Sequence, residues 1–407
     1  MERTLLIIGG AHEHGIGVRQ AQDMGLKVFV TDGNRDAEAF ALADCHAVAS
    51  TYDAAETLAA ARDHIRRGGR IDGVMTLASD VPYTVAFVAD ALGLPGISLE
   101  SARLASEKMA MKDAFARAGV PIPGYGPVRH ADEVAAAAQR WGFPLIIKPV
   151  DSRGARGVQR LLPDADLAAA FAESARHSPG GRVMAEQYLA GPQLSTEGFM
   201  IEGRAHIPAV FDRNYEFLER YAPFIVEDGG EMPSRYSGSH GEEARQVMEQ
   251  AALALGIRDG IIKGDLVIHE GRVKVIELAA RMSGGFFATA AAKASQGVDL
   301  VSALIRFSLG EKLAPADVTA SKNEGAAIRF AFPEPGRIRA VEGIASIKAD
   351  PACVFAHVFA GPGDLIEPIT CHPSRPAVVV ARGRDRAHAA SEAARLIRRL
   401  DWQIAPS

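Results

Sequence analysis

The hydrophobic runs of this chain are all about the length of single β-strands, and that limits what it can fold into. LLII (5–8) stops at Gly9-Gly10, PLIIKP (144–149) is framed by prolines, and AVVVA (377–381) follows Pro376. Such runs bury one strand each, whereas a bilayer span needs about 20 apolar residues. The N-terminal MERTLLIIGG is likewise too short for a secretory core and reads as a first strand. In the first hundred residues these runs alternate with helical stretches. A helix is expected near Val18–Met24, a strand at Lys27–Thr31, a helix around Ala54–Arg66 and a strand at Gly73–Leu77. Short strands separated by helices predict a parallel sheet with crossover connections.

At 407 residues the chain exceeds one ordinary core, so about two to three domains are expected. Breaks fall near residue 105 and near 320, where LAPADVTASKNEG has the composition of a linker. Beyond Glu324, the segments GAAIRFAFP, AVEGIASIKAD, VFAHVFAGPGDLI and PAVVVARGRD read as short strands with Gly/Pro turns, closed by a helix at Ala387–Leu400. The class is α/β plus α+β. A net charge of −5 lacks the basic excess that gripping nucleic acid requires. Three cysteines without C-x-x-C spacing fit a reducing compartment better than a disulfide framework. The expectation is a cytoplasmic protein with no nucleic-acid or membrane partner; a homodimer is compatible with it.

Chemistry concentrates in IIKGDLVIHEGRVKVIEL (261–278), two strands joined near His269–Gly271. Side chains alternate faces along a strand, so parity decides whether Asp265 and Glu277 can meet. A two-residue turn at Glu270-Gly271 pairs 269 with 272 and sends the acids to opposite faces. A three-residue loop with Gly271 left-handed pairs 268 with 272 and gathers Lys263, Asp265 and Glu277 on one face; Gly271 suits that geometry. Two hard oxygen ligands on adjacent strands suit Mg²⁺, and the plain alternative is two solvated surface acids. Next come Arg281, able to grip a phosphate or carboxylate through two N–H groups, and Ser283-Gly284-Gly285, opening into a helix whose first amides favour anions. A surface ion pair and an ordinary turn are the plain readings there.

Upstream, Lys148 ends the strand PLIIK, and SRGARG (152–157) follows it. Loop amides beside a lysine can cradle phosphate, although the Walker A spacing is absent. VMAEQYLAGPQLSTE (183–197) reads as a strand and a polar link at Glu186-Gln187, whose backbone could meet an adenine ring. Lys108 and Lys112 stand one helical turn apart on one face.

Taken in order, SEKMAMKDAFARAGVPIP, GFPLIIKPVDSRGARGV, VMAEQYLAGPQLSTE and KGDLVIHEGRVKVIELAARMSGG resemble the ATP-grasp superfamily, and most of all its carboxylate–amine ligases. The resemblance runs from Leu5 to the C-terminus. It implies an N-terminal Rossmann-like parallel-sheet domain (1–105), an ATP-grasp domain (106–320) with a lid over about 120–190, and a small β-rich C-terminal domain (321–407). ATP would lie between two lobes, with Lys148 and Lys112 or Lys108 on its phosphates. Ser152, Arg153, Gly154 and Gly157 would belong to the lid loop, and Glu186, Gln187, Tyr188 and Leu189 to the adenine link. Asp265 and Glu277 would hold Mg²⁺, with Mn²⁺ as a substitute. Arg281 would orient the acceptor carboxylate and stabilise the acyl-phosphate and tetrahedral species, assisted by the amides of Ser283, Gly284 and Gly285. The implied chemistry joins a small-molecule carboxylate to an amine. The carboxylate attacks the γ-phosphate to give an acyl phosphate and ADP, and the amine then displaces phosphate.

Two positions depart from the family pattern. Ala279 stands where many relatives have Asn in Glu-x-Asn-x-Arg, which bears on a second metal ion. Gln193 stands where an acid often meets the ribose hydroxyls, with Glu197 nearby. The segment 206–237 is expected to border the acceptor pocket, and its mixed charges suit an amino-acid-like substrate with His206, Arg213 and Arg235 as candidates. Competing readings start from IIGGAHEHGIG (7–17) and Asp32, which together suggest an NAD(P)-dependent oxidoreductase without matching G-x-G-x-x-G. His12 and His14 form a candidate metal pair in the same loop. A non-catalytic nucleotide binder, kept open by Ala279, and a purine-pathway or bicarbonate-activating enzyme complete the alternatives.

Overall fold

Strands Cys45–Val48, Lys27–Asp32, Thr4–Ile8 and Gly73–Met75 pair in that order as an all-parallel sheet. Leu5 and Ile7 pack into one core with Val28 and Val30, while Leu6 and Ile8 pack into another with Phe29 and Val74. Both faces are therefore covered, which is why these strands are continuous apolar runs rather than alternating ones. The computed structural model that shows this describes residues 2–405.

Residues 99–117 form two consecutive helices, Leu99–Ser106 and Lys108–Arg117. Glu107 separates them with an extended backbone, and its carboxylate accepts from Ala110 N to cap the second helix. The break sets Lys108 in the first turn of a new helix, beside the cleft described below.

Strands Tyr125–Val128, Val183–Gln187, Leu145–Pro149 and Gln159–Leu161 form an antiparallel sheet. Helices Ala131–Trp141 and Leu167–Arg176 share a core with Leu145, Ile147, Val183 and Ala185. Alternation along the strands then sends Ile146, Lys148 and Glu186 to the opposite face. That parity is what delivers a lysine to the cleft.

The largest sheet has eight strands in the order Arg272–Ala279, Gly260–His269, Gln193–Ile201, Arg204–Asn214, Gly229–Met232, Gly325–Phe330, Ala377–Gly383 and Cys353–Val358. It crosses residue 320, since Met232 pairs with Ala326. Helix Ser237–Ala254 packs against the hairpin, and helix Arg386–Ile397 against the C-terminal strands. A three-stranded sheet of Leu365–Ile366, Gly336–Glu342 and Asp401–Ala405 completes the C-terminal part. AVEGIASIKAD is strand only in its first part. Gly343, at φ +95°, ends the strand and opens the short helix Ile344–Lys348. Among the described residues no helix is long and apolar enough to cross a membrane.

Candidate active site

The hairpin reaches the expected same-face arrangement by a different route. Its connection is a two-residue turn, with His269 paired to Arg272 and both Glu270 (φ +51°) and Gly271 (φ +72°) left-handed. That combination is the twist-matched turn favoured between antiparallel strands, so the three-residue loop expected above is not formed. A bulge restores parity. Leu266 pairs with Val275 but Asp265 pairs with Glu277, leaving Ile276 as the extra residue. Asp265 is also paired with Ser195 on its other side, so Ser195, Asp265 and Glu277 form one cross-strand row. All three, and Ile276, line a cleft of about 890 Å³.

Asp265 is heavily engaged. Lys263 contacts one of its oxygens, and Arg213 Nη1 lies 2.9 Å from the other. Burial alone would raise its pKa, but these two cations hold the carboxyl well below the usual range. Glu277 is freer, with Lys108 Nζ 4.0 Å away. A carboxylate oxygen has two lone pairs, so this pair retains the hard-oxygen capacity a magnesium ion needs.

Across the cleft, Lys148 Nζ donates to Glu186 Oε2 at 2.6 Å. Lys112 Nζ lies 2.5 Å from Glu186 Oε1, in an ion pair whose angles fall short of a hydrogen bond. Burial, with Lys148 adding to it against Glu186, lowers the Lys112 pKa to about 8. Lys112 is 1% exposed and does not line the cleft, so it backs Glu186 while Lys108 and Lys148 face the cavity. The Glu186 side chain is thus an anchor between two lysines. Gln187, Tyr188, Leu189 and Gln193 line the cleft beside it, with Ile146. Tyr215 Oη donates to Gln193 Oε1 at 3.1 Å.

The loop after Lys148 forms part of the cleft wall. Lys108 Nζ donates to Ser152 O at 2.8 Å, and the Arg153 guanidinium sits 4.3 Å from the centroid of the Tyr52 ring. His372 N donates to Gly154 O at 3.0 Å. Gly154 has φ +63°, a conformation in which a side chain would also press on Pro373. Ser152, Arg153 and Gly154 line the cavity; Gly157, packed on Pro149 and His177, does not.

Arg281 is fixed from the N-terminal unit. Its Nε lies 3.1 Å from Asp80 Oδ1, and its Nη1 donates to Met282 O at 2.7 Å. Despite burial, Arg281 lowers the Asp80 pKa to about 2. The Ser283–Gly285 segment lines the cleft, and its amides do meet carboxyl groups, but ones supplied by this chain. Ser283 N points between the Glu197 carboxylate oxygens at 3.3 Å. Gly285 N and Phe286 N donate to Glu13 at 3.0 and 2.9 Å, and Thr289 Oγ1 adds a third bond at 2.8 Å. Glu13 sits in the first turn of the helix His12–Asp23, just after Gly9-Gly10, where the dinucleotide reading would need a pyrophosphate.

Of the substrate-side candidates, Arg213 lines the cleft. Its Nε donates to Glu227 Oε2 at 2.5 Å, and Arg375 Nη1 donates to the Glu227 backbone oxygen at 2.8 Å while stacking 3.4 Å over Phe330. His206 lies toward the far end of the same strand, opposite Phe199 and before an irregularity, and is outside the lining. Arg235 is also outside it, with an exposed side chain held by Asp212 at 3.2 Å. His12 and His14 diverge: His12 turns to Glu38, and His14 turns inward toward Ser79 and Thr76. Asp80, His372 and Arg375 carry no local motif, and only the fold brings them to the cleft. Ser195 lies within the 183–197 segment, but its place there comes from pairing with Asp265.

Residues 107–316 match the family model of the carbamoyl-phosphate synthase L chain ATP-binding domain. Residues 18–96 match the ATP-grasp N-terminal domain, and 329–405 match the L-amino acid ligase C-terminal domain 2. The uncharacterized protein y4rH of Sinorhizobium fredii is 27% identical over 341 residues, 83% of this chain and 69% of that protein. A D-alanine--D-alanine ligase of Trichlorobacter lovleyi is 28% identical over 204 residues, 50% of this chain and 59% of its own length. The chain thus spans only part of these curated relatives. In three dimensions the L-amino acid ligase of Bacillus licheniformis superposes with a TM-score of 0.83 at 20% identity, covering 100% of this chain and 99% of that one. Phosphoribosylglycinamide synthetase of Anaerococcus prevotii superposes at 0.76 with 17% identity and full coverage of both chains. At such identities the superpositions show the fold alone. The ATP-binding match by itself takes in just over half of the sequence, and with the flanking matches on either side the chain belongs to the ATP-grasp superfamily.

Proposed function

We propose that this chain is an ATP- and Mg²⁺-dependent ligase that joins a carboxylate to an amine on amino-acid-like substrates, releasing ADP and phosphate. The observation that carries the reading is the convergence on one cleft of Lys148, Lys108 (4.0 Å from Glu277), the Asp265/Glu277 row and Arg281. In this reading the two lysines meet the nucleotide phosphates, and the 152–157 loop covers them. Ile146, Leu189 and Ile276 supply the apolar surface for the base, and the 187–189 backbone its polar contacts. Asp265 and Glu277 would hold Mg²⁺, which when bound neutralises charge between the phosphates. Arg281, kept rigid by Asp80, orients the substrate carboxylate toward the γ-phosphate and then screens the oxyanion formed when the amine attacks. Arg213, paired with Asp265, and Arg375 line the same cleft as further positive charge.

The match at residues 329–405 favours an amino-acid ligase over a bicarbonate-activating enzyme, whereas the ATP-binding match alone is compatible with both. Phosphate release from Mg-ATP separates them when measured with pooled amino acids and with bicarbonate. Release is expected with the amino-acid pool, to yield ADP, and to fall by about 10²-fold or more in Glu277→Gln and Arg281→Ala. Release driven by bicarbonate alone would transfer the chain to the second reading. Near wild-type turnover in either variant would sink the site assignment.

A further inference from the structure

We propose that His12, Glu38 and His357 form a binding site for a divalent transition metal of the zinc class, at the rim of the cleft. The three residues come from distant parts of the chain. His12 opens the helix His12–Asp23, Glu38 opens the short helix Glu38–Ala41, and His357 lies on the strand Cys353–Val358. One donor atom from each falls within 4.8 Å of the other two. His12 Nδ1 and Glu38 Oε2 are 2.6 Å apart, and the two imidazole rings lie 3.8 Å between centroids. His14, the partner suggested by the sequence, takes no part because its ring turns inward.

The donor set selects the ion. Two imidazoles and one carboxylate are a three-ligand zinc set with a fourth position open, whereas magnesium and calcium prefer oxygen alone. This separates the site chemically from the Asp265/Glu277 row. The surroundings favour binding too. Phe286, Phe355 and Phe359 collar the rings, with Phe286 stacked 4.3 Å from Phe355 and Phe359 4.8 Å from His357. These aromatic neighbours fix the orientation of the two imidazoles and leave the Glu38 side open to solvent, from which an ion can enter. Donors around a tetrahedral zinc stand roughly 3.3 Å apart, so the metal replaces the proton shared by His12 and Glu38 and opens that pair slightly. The Glu38 side chain is 57% exposed and free to make the movement. A bound ion would fasten the N-terminal sheet to the C-terminal strand beside the cleft, independently of which reaction the cleft performs.

The test uses the full chain, stripped with a chelator, and Co²⁺ alone as the probe. One equivalent is expected to bind with the intense visible absorption of four-coordinate cobalt, and to be displaced by Zn²⁺. His12→Gln and His357→Gln should each abolish the band with unchanged circular dichroism. Glu38→Gln should weaken binding by about tenfold or more, and Glu277→Gln should leave it intact. No band, a band that survives His357→Gln, or one lost in Glu277→Gln would overturn the proposal and leave the rings as an aromatic contact only. If a glutamine variant misfolds, acylation of the wild-type imidazoles decides. Protection of His12 and His357 by Zn²⁺ supports the site, and equal reactivity with and without the ion sinks it.

Discussion

Glu197 carries a carboxyl with no exposed surface, in register with Lys263 on one side and beneath Ser283 N on the other. Burial pushes its pKa up to about 7, against the pull of Ser283, Lys263 and Arg281. In the unfolded chain the group ionises near its ordinary value of 4.5. Between these values the folded state holds a proton that the unfolded state has lost, so the group's contribution to stability falls as pH rises through that window. The loss is about 3 kcal/mol for a shift of this size. Glu197→Gln keeps an oxygen for Ser283 N and removes the titration. The variant should therefore gain on the wild type by about that amount between pH 4.5 and 7.5. Denaturant midpoints of both proteins at the two pH values measure it. A wild-type-to-variant difference that does not change with pH would show that Glu197 titrates normally.

At the scale of the element, the hairpin bulge does more than bring two acids together. Because it places Ile276 beside Glu277, two consecutive residues face the cleft, one apolar and one charged. Ile276→Ala should raise the KM for ATP by about tenfold, from the lost apolar contact, and leave kcat within a factor of two. A fall in kcat with unchanged KM would assign Ile276 to positioning Glu277 instead. The bulge was legible in VKVIEL, where the core residues step by two from Val273 to Val275 and then by three to Leu278. Reading the loop length alone gave the right face by the wrong route. The parallel sheet and the lid strands were legible because periodicity is a local property. The break at Glu107 was not, since a helix-compatible sequence runs through it and only the cap on Ala110 marks it. Arg235 and His206 were misplaced for a related reason. Lying between two motifs in sequence does not decide which end of a strand reaches a cavity.

For the molecule as a whole, the informative contacts are those that tie the start of the first helix, and Asp80, to the segment from Arg281 onward. Glu13 and Asp80 both come from the N-terminal sheet unit, and both hold residues 281–289. No sequence pattern could reveal this, because the partners lie 272 residues apart for Glu13 and 201 for Asp80. The amides that invite an anion are legible; which carboxylate answers depends on the docking of two units. Burial raises the Glu13 pKa, opposed by Thr289, Phe286 and Gly285, so the carboxylate is costly to bury and is retained by its three donors. Glu13→Ala leaves the buried Phe286 amide, the half-buried Gly285 amide and the Thr289 hydroxyl without their acceptor, at about 1–3 kcal/mol for each fully buried group. Hydrogen exchange at Gly285 and Phe286 should then speed up by about 10²-fold or more, corresponding to about 3 kcal/mol of lost protection. Turnover should fall as well, because Arg281 and Ser283 belong to the same segment. Glu13→Gln, which keeps one acceptor oxygen, should recover part of both. If exchange at those two amides is unchanged in Glu13→Ala, the segment is held by the eight-stranded sheet alone. The N-terminal unit would then be a neighbour of the site rather than one of its supports.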